Sequence, residues 1–354
     1  MDIKLTINGK EVEVPQGTML LDACRQAGAD IPTFCYDPDL KLAGSCRMCV
    51  VQPQGWRNLV ASCVTPAQNG MVIETESPDV VEARRVVLEL MLARHKLTCH
   101  TCEKDGECNL QDYCYRYGVT ESRFAGKVHN LFKDDSNPFI ERDYDKCVMC
   151  TRCVRACEEI TGARAINVMD RGHHAHIATA FDGELADSPC VFCGQCIMVC
   201  PVGALTSKIA AGQGKPAQND KVMTTCTYCG TGCTFELNVK NDKIVGVTSN
   251  RDAEWSPVNR GALCVKGRFG WDFVNSPERL TTPLIKENGE FREASWDEAL
   301  DLAAEKIKGI KEQYGADSLS MFSSARVTNE ENYLAQKLMR AAIGSNNVDH
   351  CARL

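Results

Sequence analysis

Residues 147–157 read CVMCTRCVRAC, and residues 190–201 read CVFCGQCIMVCP. Both stretches space four cysteines as C-x2-C-x2-C-x3-C, and a proline follows the second stretch. Thiolates at this spacing are typical of paired [4Fe–4S] clusters, in which the fourth cysteine of each run binds the other cluster. The repeat therefore predicts one cluster on Cys147, Cys150, Cys153 and Cys200, and a second cluster on Cys190, Cys193, Cys196 and Cys157.

The whole chain is rich in cysteine, with 22 in 354 residues. A disulfide scaffold is one explanation, but such chains are usually short and secreted. The first residues, MDIKLTINGK, lack the regions of an export signal, and no apolar run approaches the roughly 18 residues of a membrane helix. Bound metal explains cysteines in tight groups better. We therefore expect a cytoplasmic metalloprotein, and the net charge of −7 argues against a nucleic-acid partner.

A third group of thiols lies nearer the N terminus, at Cys35, Cys46, Cys49 and Cys63. Alternating apolar residues around Asn8-Gly9 predict a hairpin, and a helix capped by Thr18 follows. Cys24 lies on the apolar face of that helix and is expected in the core. This order favours a [2Fe–2S] domain of the ferredoxin type, a β-grasp fold, over residues 1–77. A zinc site is the alternative, although Gly44 and Ser45 leave room for backbone N–H contacts to cluster sulfur.

A fourth group combines a histidine with three cysteines, in the order His95, Cys99, Cys102 and Cys108. It follows a helix that is predicted to begin at Pro78 with Ser77 as its cap, and it belongs to a helical domain over residues 78–118. Three cysteines need one more ligand, and the spacing leaves both His95 and Cys114 open. A neutral imidazole would make the cluster less negative, and cluster charge is one determinant of the reduction potential.

The rest of the chain divides into three parts. The paired-cluster domain is assigned to residues 138–210, after a polar connection at 118–140, and a Gly- and Pro-containing linker follows it. A fifth group in residues 221–275 suits another [4Fe–4S] cluster, on Cys226, Cys229, Cys233 and Cys264. In residues 276–354 the pattern predicts a helix capped by Ser295, a strand at 318–322 and a helix capped by Thr328. The predicted fold class is therefore multidomain, α+β followed by an α/β domain that is incomplete.

The arrangement of these groups resembles a known family along the whole chain. Residues 1–210 resemble the electron-input part of the large iron–sulfur subunit of respiratory complex I, a module also found in iron-only hydrogenases and NAD(P)-linked formate dehydrogenases. In that module the histidine of H-x3-C-x2-C-x5-C is a cluster ligand, which implies His95. From Met223 onward the chain is similar to the beginning of a molybdopterin oxidoreductase. The motif LCVKGRFG contains Lys266. Taken alone, this lysine is expected to be a solvated charge. The resemblance instead implies that it relays electrons between the cluster and the pterin.

The stretch SSARVTNEENYLAQKLMRAAIGSNNVDHCARL resembles cytosolic formate dehydrogenase α subunits. The resemblance implies reversible oxidation of formate to CO2 at a molybdenum or tungsten bis(molybdopterin guanine dinucleotide) site. Electrons would pass through the Cys226 cluster to the paired clusters. The His95 and [2Fe–2S] centres would then lead to a flavin-containing NAD(P)-reducing subunit or to ferredoxin. In that family a metal-binding cysteine or selenocysteine follows this motif, so the chain is expected to be truncated at a selenocysteine codon and inactive alone.

A second class of function stays open. The chain could be an electron-transfer subunit of a complex I-like or hydrogenase assembly without its own catalytic centre. A hydrogenase would carry a cysteine-rich catalytic domain after residue 210, where this chain has a different group. A complex I subunit could share the CVKGRFG motif but would not be expected to share the C-terminal stretch.

Overall fold

The computed structural model describes residues 2–124, 133–251 and 254–351, and it divides the chain into two compact units, one ending at Asn219 and one beginning at Asp220. Part of the connection at 118–140 and the last three residues of the C-terminal motif lie outside the described residues. Among the helices that are described, none is long and apolar enough to cross a membrane.

The first unit opens with a five-stranded sheet and one helix. The strands are β1 (Asp2–Ile7), β2 (Lys10–Pro15), β3 (Val50–Pro53), β4 (Val60–Ala61) and β5 (Val72–Glu74). Their order is β2-β1-β5-β3-β4, with β1 and β5 parallel and the other neighbours antiparallel. The predicted hairpin joins β1 to β2, and Asn8 and Gly9 have φ of 49° and 79°, as a type I′ turn requires.

Helix α1 (Leu20–Gln26) packs against this sheet. Cys24 is fully buried in the shared core, so its predicted place is confirmed. The predicted cap is wrong by one position. Met19 is the N-cap, while the Thr18 hydroxyl donates to the Pro15 carbonyl 2.7 Å away. The hydroxyl is used within the preceding turn, so it does not cap the helix.

Two helices follow the sheet, α2 (Pro78–Leu92) and α3 (Asn109–Tyr117). The Ser77 side chain accepts from the Val80 N–H, so the predicted cap is confirmed. The apolar pattern of α2 includes Leu90, yet Leu90 is 52% exposed, whereas the Arg84 side chain is completely buried. Arg84 donates to the Val50 carbonyl and to the Tyr117 hydroxyl, which joins both helices to the sheet.

The paired-cluster region repeats its own backbone conformation. Its elements are β6 (Ile140–Arg142), α4 (Arg152–Ala156), β7 (Asn167–Met169), β8 (His176–Ala178), α5 (Gln195–Val199) and β9 (Leu205–Ser207). Strands β6 and β9 pair with each other, as do β7 and β8. Met149 and Thr151 have φ of 55° and 58°, and the matching Phe192 and Gly194 have φ of 52° and 70°. The sequence repeat is therefore also a structural repeat.

The second unit begins with a three-stranded antiparallel sheet and ends in α/β structure. Its elements are β10 (Asp220–Thr225), β11 (Thr234–Lys240), β12 (Lys243–Thr248), α6 (Val265–Phe269), β13 (Leu284–Glu287), β14 (Glu290–Glu293), α7 (Trp296–Tyr314), β15 (Met321–Ser323), α8 (Asn329–Lys337) and β16 (Val348–His350). Ser295 caps α7 and Thr328 forms a capping box, both as predicted. The strand predicted at 318–322 is shorter and later, and it pairs in parallel with β16, which the sequence analysis missed.

Candidate iron–sulfur centres

The first thiol group lies beside the five-stranded sheet. Cys35, Cys46 and Cys49 come from the loop between α1 and β3, and Cys63 from the turn after β4. The Sγ atoms of Cys49 and Cys63 are 3.3 Å apart, and the Cys35 N–H donates to the Cys46 Sγ over 3.4 Å. The hydrogen bond between these two thiols lowers the pKa of Cys49, and hydrogen bonds with Cys35 and Cys49 raise the pKa of Cys63, because the neighbouring thiols share protons. Thiols this close need a cation to become thiolates together, which suits a metal site.

Gly44 allows this loop to close. Its φ is +61°, and a Cβ at this position would lie 2.9 Å from a methyl group of Val64. The sequence analysis assigned Gly44 a role in leaving room for N–H contacts. The structure adds a packing reason, because any larger residue would push against the turn that carries Cys63.

The second group surrounds a small cavity. Its lining includes His95, Cys99, Cys102 and Cys108 but not Cys114. Burial, followed by the charge of Lys146, lowers the pKa of His95 to about 4, so the imidazole is neutral. Its Nδ1 atom is buried and has no hydrogen-bond partner, while a backbone hydrogen bond at Lys146 holds the ring. A neutral, oriented imidazole with one unused nitrogen fits a metal ligand, and the geometry favours His95 over Cys114.

Gly203 was missed by the sequence analysis, although it follows the second cysteine run closely. A Cβ on Gly203 would lie 2.4 Å from the Sγ of Cys102. The neighbouring Pro201 carbonyl accepts from the Asn109 N–H, at the start of α3. The paired-cluster domain therefore forms part of the wall of the His95 group. In the sequence, the glycine of the CPVG segment is the one signal for the close approach of this backbone to Cys102.

The two cysteine runs come together in the structure. A cavity is lined by one cysteine of the first run and three of the second, Cys157, Cys190, Cys193 and Cys196. Burial raises the pKa of Cys147 to about 11 and of Cys150 to about 12, and in both cases the Cys200 charge adds to the effect. Cys200 thus lies beside the first run. Buried thiols crowded in this way need a cation to become thiolates together.

Backbone N–H groups point at the sulfur atoms of both runs. The N–H of Met149 donates to the Cys147 Sγ at 3.3 Å, and that of Phe192 donates to the Cys190 Sγ at 3.4 Å. Both donors have positive φ, a conformation that L-residues adopt at a cost and that recurs at functional sites. Hydrogen bonds to sulfur stabilise the negative charge of a bound cluster.

The fifth group lies entirely in the second unit. Cys226 and Cys229 follow β10, Cys233 precedes β11, and Cys264 is the N-cap residue of α6. The Cys226 N–H donates to the Cys233 carbonyl at 2.7 Å. Burial raises the pKa of Cys233, and the charges of the other three thiols raise it further, which shows that the four lie close together.

Lys266 extends from α6 beside this group. Its Nζ atom lies 5.8 Å from the centre of the Tyr228 ring, a cation–π contact. Lys266, Tyr228, Trp271 and Phe273 line one cavity together with Cys226. Lys266 is exposed, and its cation lies against an aromatic ring at the edge of the cavity that Cys226 also lines.

The donor sets match the chemistry of iron–sulfur clusters. Thiolates, one imidazole and N–H donors to sulfur are the groups that [2Fe–2S] and [4Fe–4S] clusters use. The individual ligands stay predictions.

Five family models match successive parts of the chain. They are the 2Fe-2S iron-sulfur cluster binding domain (residues 1–78), the NADH-ubiquinone oxidoreductase-G iron-sulfur binding region (84–123), the ferredoxin-like domain of NADH-quinone oxidoreductase subunit 3 (137–206), the molybdopterin oxidoreductase Fe4S4 domain (220–276) and molybdopterin oxidoreductase (279–354). The predicted fold class is thereby confirmed. The fold and the cysteine groups are those of an iron–sulfur protein of the oxidoreductase class. Its C-terminal segment matches molybdopterin oxidoreductases.

Two curated proteins are similar to this chain along almost its whole length. The chain is 40% identical to a G-type subunit of NADH-quinone oxidoreductase from Rhizobium meliloti, over 99% of this chain and 40% of that protein. It is 35% identical to a Staphylococcus aureus protein named "Putative formate dehydrogenase", over 99% of this chain and 39% of that one. The chain thus spans about 40% of the length of the curated relatives it matches.

A solved structure is also similar. The crystal structure of an NAD+-reducing [NiFe]-hydrogenase in the H2-reduced state matches with a TM-score of 0.56 and 32% identity, covering 61% of this chain and 91% of that one. Together with the matched models, these likenesses show that the chain is similar to G-type subunits of NADH-quinone oxidoreductase. It combines segments that match iron–sulfur domains with a segment that matches molybdopterin oxidoreductase.

Proposed function

We propose that this chain carries electrons through one [2Fe–2S] and four [4Fe–4S] clusters. The observation that supports this most is the cavity formed by Cys157 with Cys190, Cys193 and Cys196, because the crossed pairing belongs to two-cluster domains. When bound, each cluster supplies reversible one-electron chemistry. The chain's own residues hold the iron, donate N–H groups to sulfur and exclude water.

The ligand sets follow the five groups. The [2Fe–2S] cluster is held by Cys35, Cys46, Cys49 and Cys63, and the [4Fe–4S] clusters by His95 with Cys99, Cys102 and Cys108; by Cys147, Cys150, Cys153 and Cys200; by Cys157, Cys190, Cys193 and Cys196; and by Cys226, Cys229, Cys233 and Cys264. The domains have the bounds 1–77, 78–118, 138–210, 221–275 and 276–354. A cytoplasmic location, where these free thiols stay reduced, is part of the proposal.

Electrons exchange through the paired-cluster domain in the first unit. Gly203 and Pro201, which follow Cys200, form part of the wall of the His95 group. The [2Fe–2S] loop contacts α4, which carries Cys153. The cluster on Cys147, Cys150, Cys153 and Cys200 therefore adjoins both of the other groups.

The finer proposal is that the substrate is formate. It is supported by the segment that matches molybdopterin oxidoreductase, by the likeness to the Staphylococcus aureus protein and by Lys266, which lines one cavity together with Cys226. The full protein would then hold a molybdenum or tungsten bis-pterin, and its partner would be a flavin-containing NAD(P)-reducing subunit or ferredoxin.

The second candidate is electron transfer in a complex I-like or hydrogenase-like assembly that oxidises NADH or hydrogen. It is favoured by the 40% identity to the Rhizobium meliloti protein and by the match to the hydrogenase structure. In this case the segment from residue 279 would not act on formate.

The test uses the full-length protein within its complex, purified anaerobically from its own host. Formate, NADH, NADPH and hydrogen are added separately, and reduction of the clusters is followed by electron paramagnetic resonance. Cluster reduction by formate, abolished in Lys266→Gln but not in the exposed control Lys306→Gln, supports the formate proposal. Reduction by NADH or hydrogen but not by formate would replace it with the second candidate.

A further inference from the structure

Helix α4 is hydrogen-bonded to the loop that begins at Cys35. The two guanidinium Nη atoms of Arg155 donate to the carbonyl oxygens of Cys35 and Lys41, each over 2.5 Å. Arg152 donates through Nε and Nη2 to one oxygen of the Asp37 carboxylate, at 3.1 and 2.6 Å. These contacts connect one candidate ligand loop to the helix of another cluster domain.

The contacts come from one face of one helix. Arg152, Arg155 and Glu159 are spaced by three and four residues, so their side chains lie together. Glu159 completes the face, since its carboxylate accepts from the Lys41 N–H at 2.8 Å. A π-helical turn, Cys157–Thr161, continues α4, and such turns occur frequently at functional sites.

The same helix carries candidate ligands of two clusters. Cys153 and Cys157 lie on either side of Arg155 in the sequence, and the proposed ligand sets assign them to different [4Fe–4S] clusters. Arg155 also bonds to the backbone of Cys35, a candidate [2Fe–2S] ligand. A single side chain therefore lies at the junction of three proposed clusters.

The Arg152–Asp37 side of this contact is largely closed to water, whereas the Lys41 side is exposed. Asp37 is fully buried, and the Arg152 side chain is only 16% exposed. The Nε of Arg155 is buried and makes no hydrogen bond. Charge interactions are strong where water is excluded. Reduction adds negative charge to a cluster, so a fixed cation nearby stabilises the reduced form and raises its potential.

We propose that Arg155, supported by Arg152, is a positioning residue for electron exchange between the [2Fe–2S] cluster and the paired [4Fe–4S] clusters. It fixes the Cys35–Lys41 loop against α4, and its charge raises the potential of the [2Fe–2S] cluster. The inference rests on the proposed function, because it needs clusters at these ligands.

Two variants distinguish the effect of the hydrogen bonds that Arg155 makes from the effect of its charge. Arg155→Lys keeps the charge but replaces the planar pair of Nη donors with one Nζ atom, so it cannot reproduce both hydrogen bonds in their present geometry. Arg155→Gln removes the charge as well. Arg164→Gln is the matched control, because Arg164 lies in the same domain, is exposed and pairs only at the surface with Glu158, 3.3 Å away.

The experiment is a redox titration of the reconstituted full chain, followed by electron paramagnetic resonance. Arg155→Gln should lower the equilibrium constant for reducing the [2Fe–2S] cluster by about tenfold, which is about 59 mV for one electron. Arg155→Lys should leave that constant near the wild-type value. Electron redistribution after partial reduction, trapped by rapid freezing, should slow in both variants and remain unchanged in Arg164→Gln.

Three results would overturn the inference. The first is an Arg155→Gln protein that matches Arg164→Gln in both potential and redistribution rate. The second is loss of the [2Fe–2S] signal in both Arg155 variants, which would make the contact a requirement for folding alone. The third is an equal slowing in Arg164→Gln. Failure of the proposed function is distinct from all three, since the wild-type chain would then lack the [2Fe–2S] signal.

Discussion

Helices α2 and α7 begin in the same way but are held very differently. Each follows a serine whose Oγ accepts a backbone N–H at the third position of the helix, Ser77 from Val80 and Ser295 from Glu298. Helix α2 buries Val80, Arg84 and Leu88, whereas α7 buries no side chain. Local sequence signals form both helices, but in the part of the chain that the structure describes α2 has a buried face and α7 has none. The candidate ligand His95 follows α2 closely, so the well-packed helix is the one that lies next to this ligand.

The largest expected effect is at the end of α2. His95→Ala should remove or alter one [4Fe–4S] signal in electron paramagnetic resonance, because the cluster loses a ligand. Cys114→Ala is the matched control and should leave all signals intact, since Cys114 does not line the cavity. The opposite pair of results would assign the position to Cys114.

The next effect compares leucines on the two helices. Leu88→Ala in α2 should lower the free energy of unfolding of the first unit by about 3 kcal/mol, because it leaves a cavity in a closed core. Leu300→Ala in α7 should change the second unit by less than about 0.5 kcal/mol, because Leu300 is 59% exposed. Chemical denaturation of the reconstituted chain measures both, and equal losses would show that α7 is covered in solution.

The caps should behave alike. Ser77→Ala and Ser295→Ala should each cost about 1 kcal/mol of local helix stability, because each removes one acceptor from an otherwise unpaired N–H. Hydrogen exchange of the first-turn amides measures this for each helix separately. Ser→Asn at the same positions restores an acceptor and should restore protection. A cap effect confined to α2 would contradict the view that these signals are local.

The smallest expected effect is the pH dependence of amide protection, compared between the hairpin β7–β8 in the first unit and the hairpin β13–β14 in the second. Burial opposes protonation of His176, but its hydrogen bonds with the His174 carbonyl and Asp182 dominate and raise its pKa above 6.5. The stabilisation is therefore complete below pH 6.5 and is lost as the pH rises through the raised pKa. Amide protection in β7–β8 should fall over that range, while β13–β14, which contains no histidine, should stay constant. His176→Gln should abolish the dependence.

Metal chemistry and local capping made much of this molecule predictable. The crossed cysteine sets stay a prediction, drawn from a spacing that few sites other than paired clusters require. The caps at Ser77, Ser295 and Thr328 are confirmed, because they act through adjacent backbone. Arg84 could not be placed, because its burial depends on Val50 and Tyr117, which are distant in the sequence. The exposure of Leu90 and the pairing of β15 with β16 likewise depend on tertiary neighbours that a helical or alternating pattern does not reveal.

The central claim is that the five groups hold iron–sulfur clusters, and the iron content tests it most directly. The chain is reconstituted anaerobically with iron and sulfide, and its metals are counted by mass spectrometry against the protein concentration. One two-iron cluster and four four-iron clusters predict about 18 iron atoms per chain and no stoichiometric zinc. About two iron atoms per chain, or about five zinc ions at these thiol groups, would contradict the account.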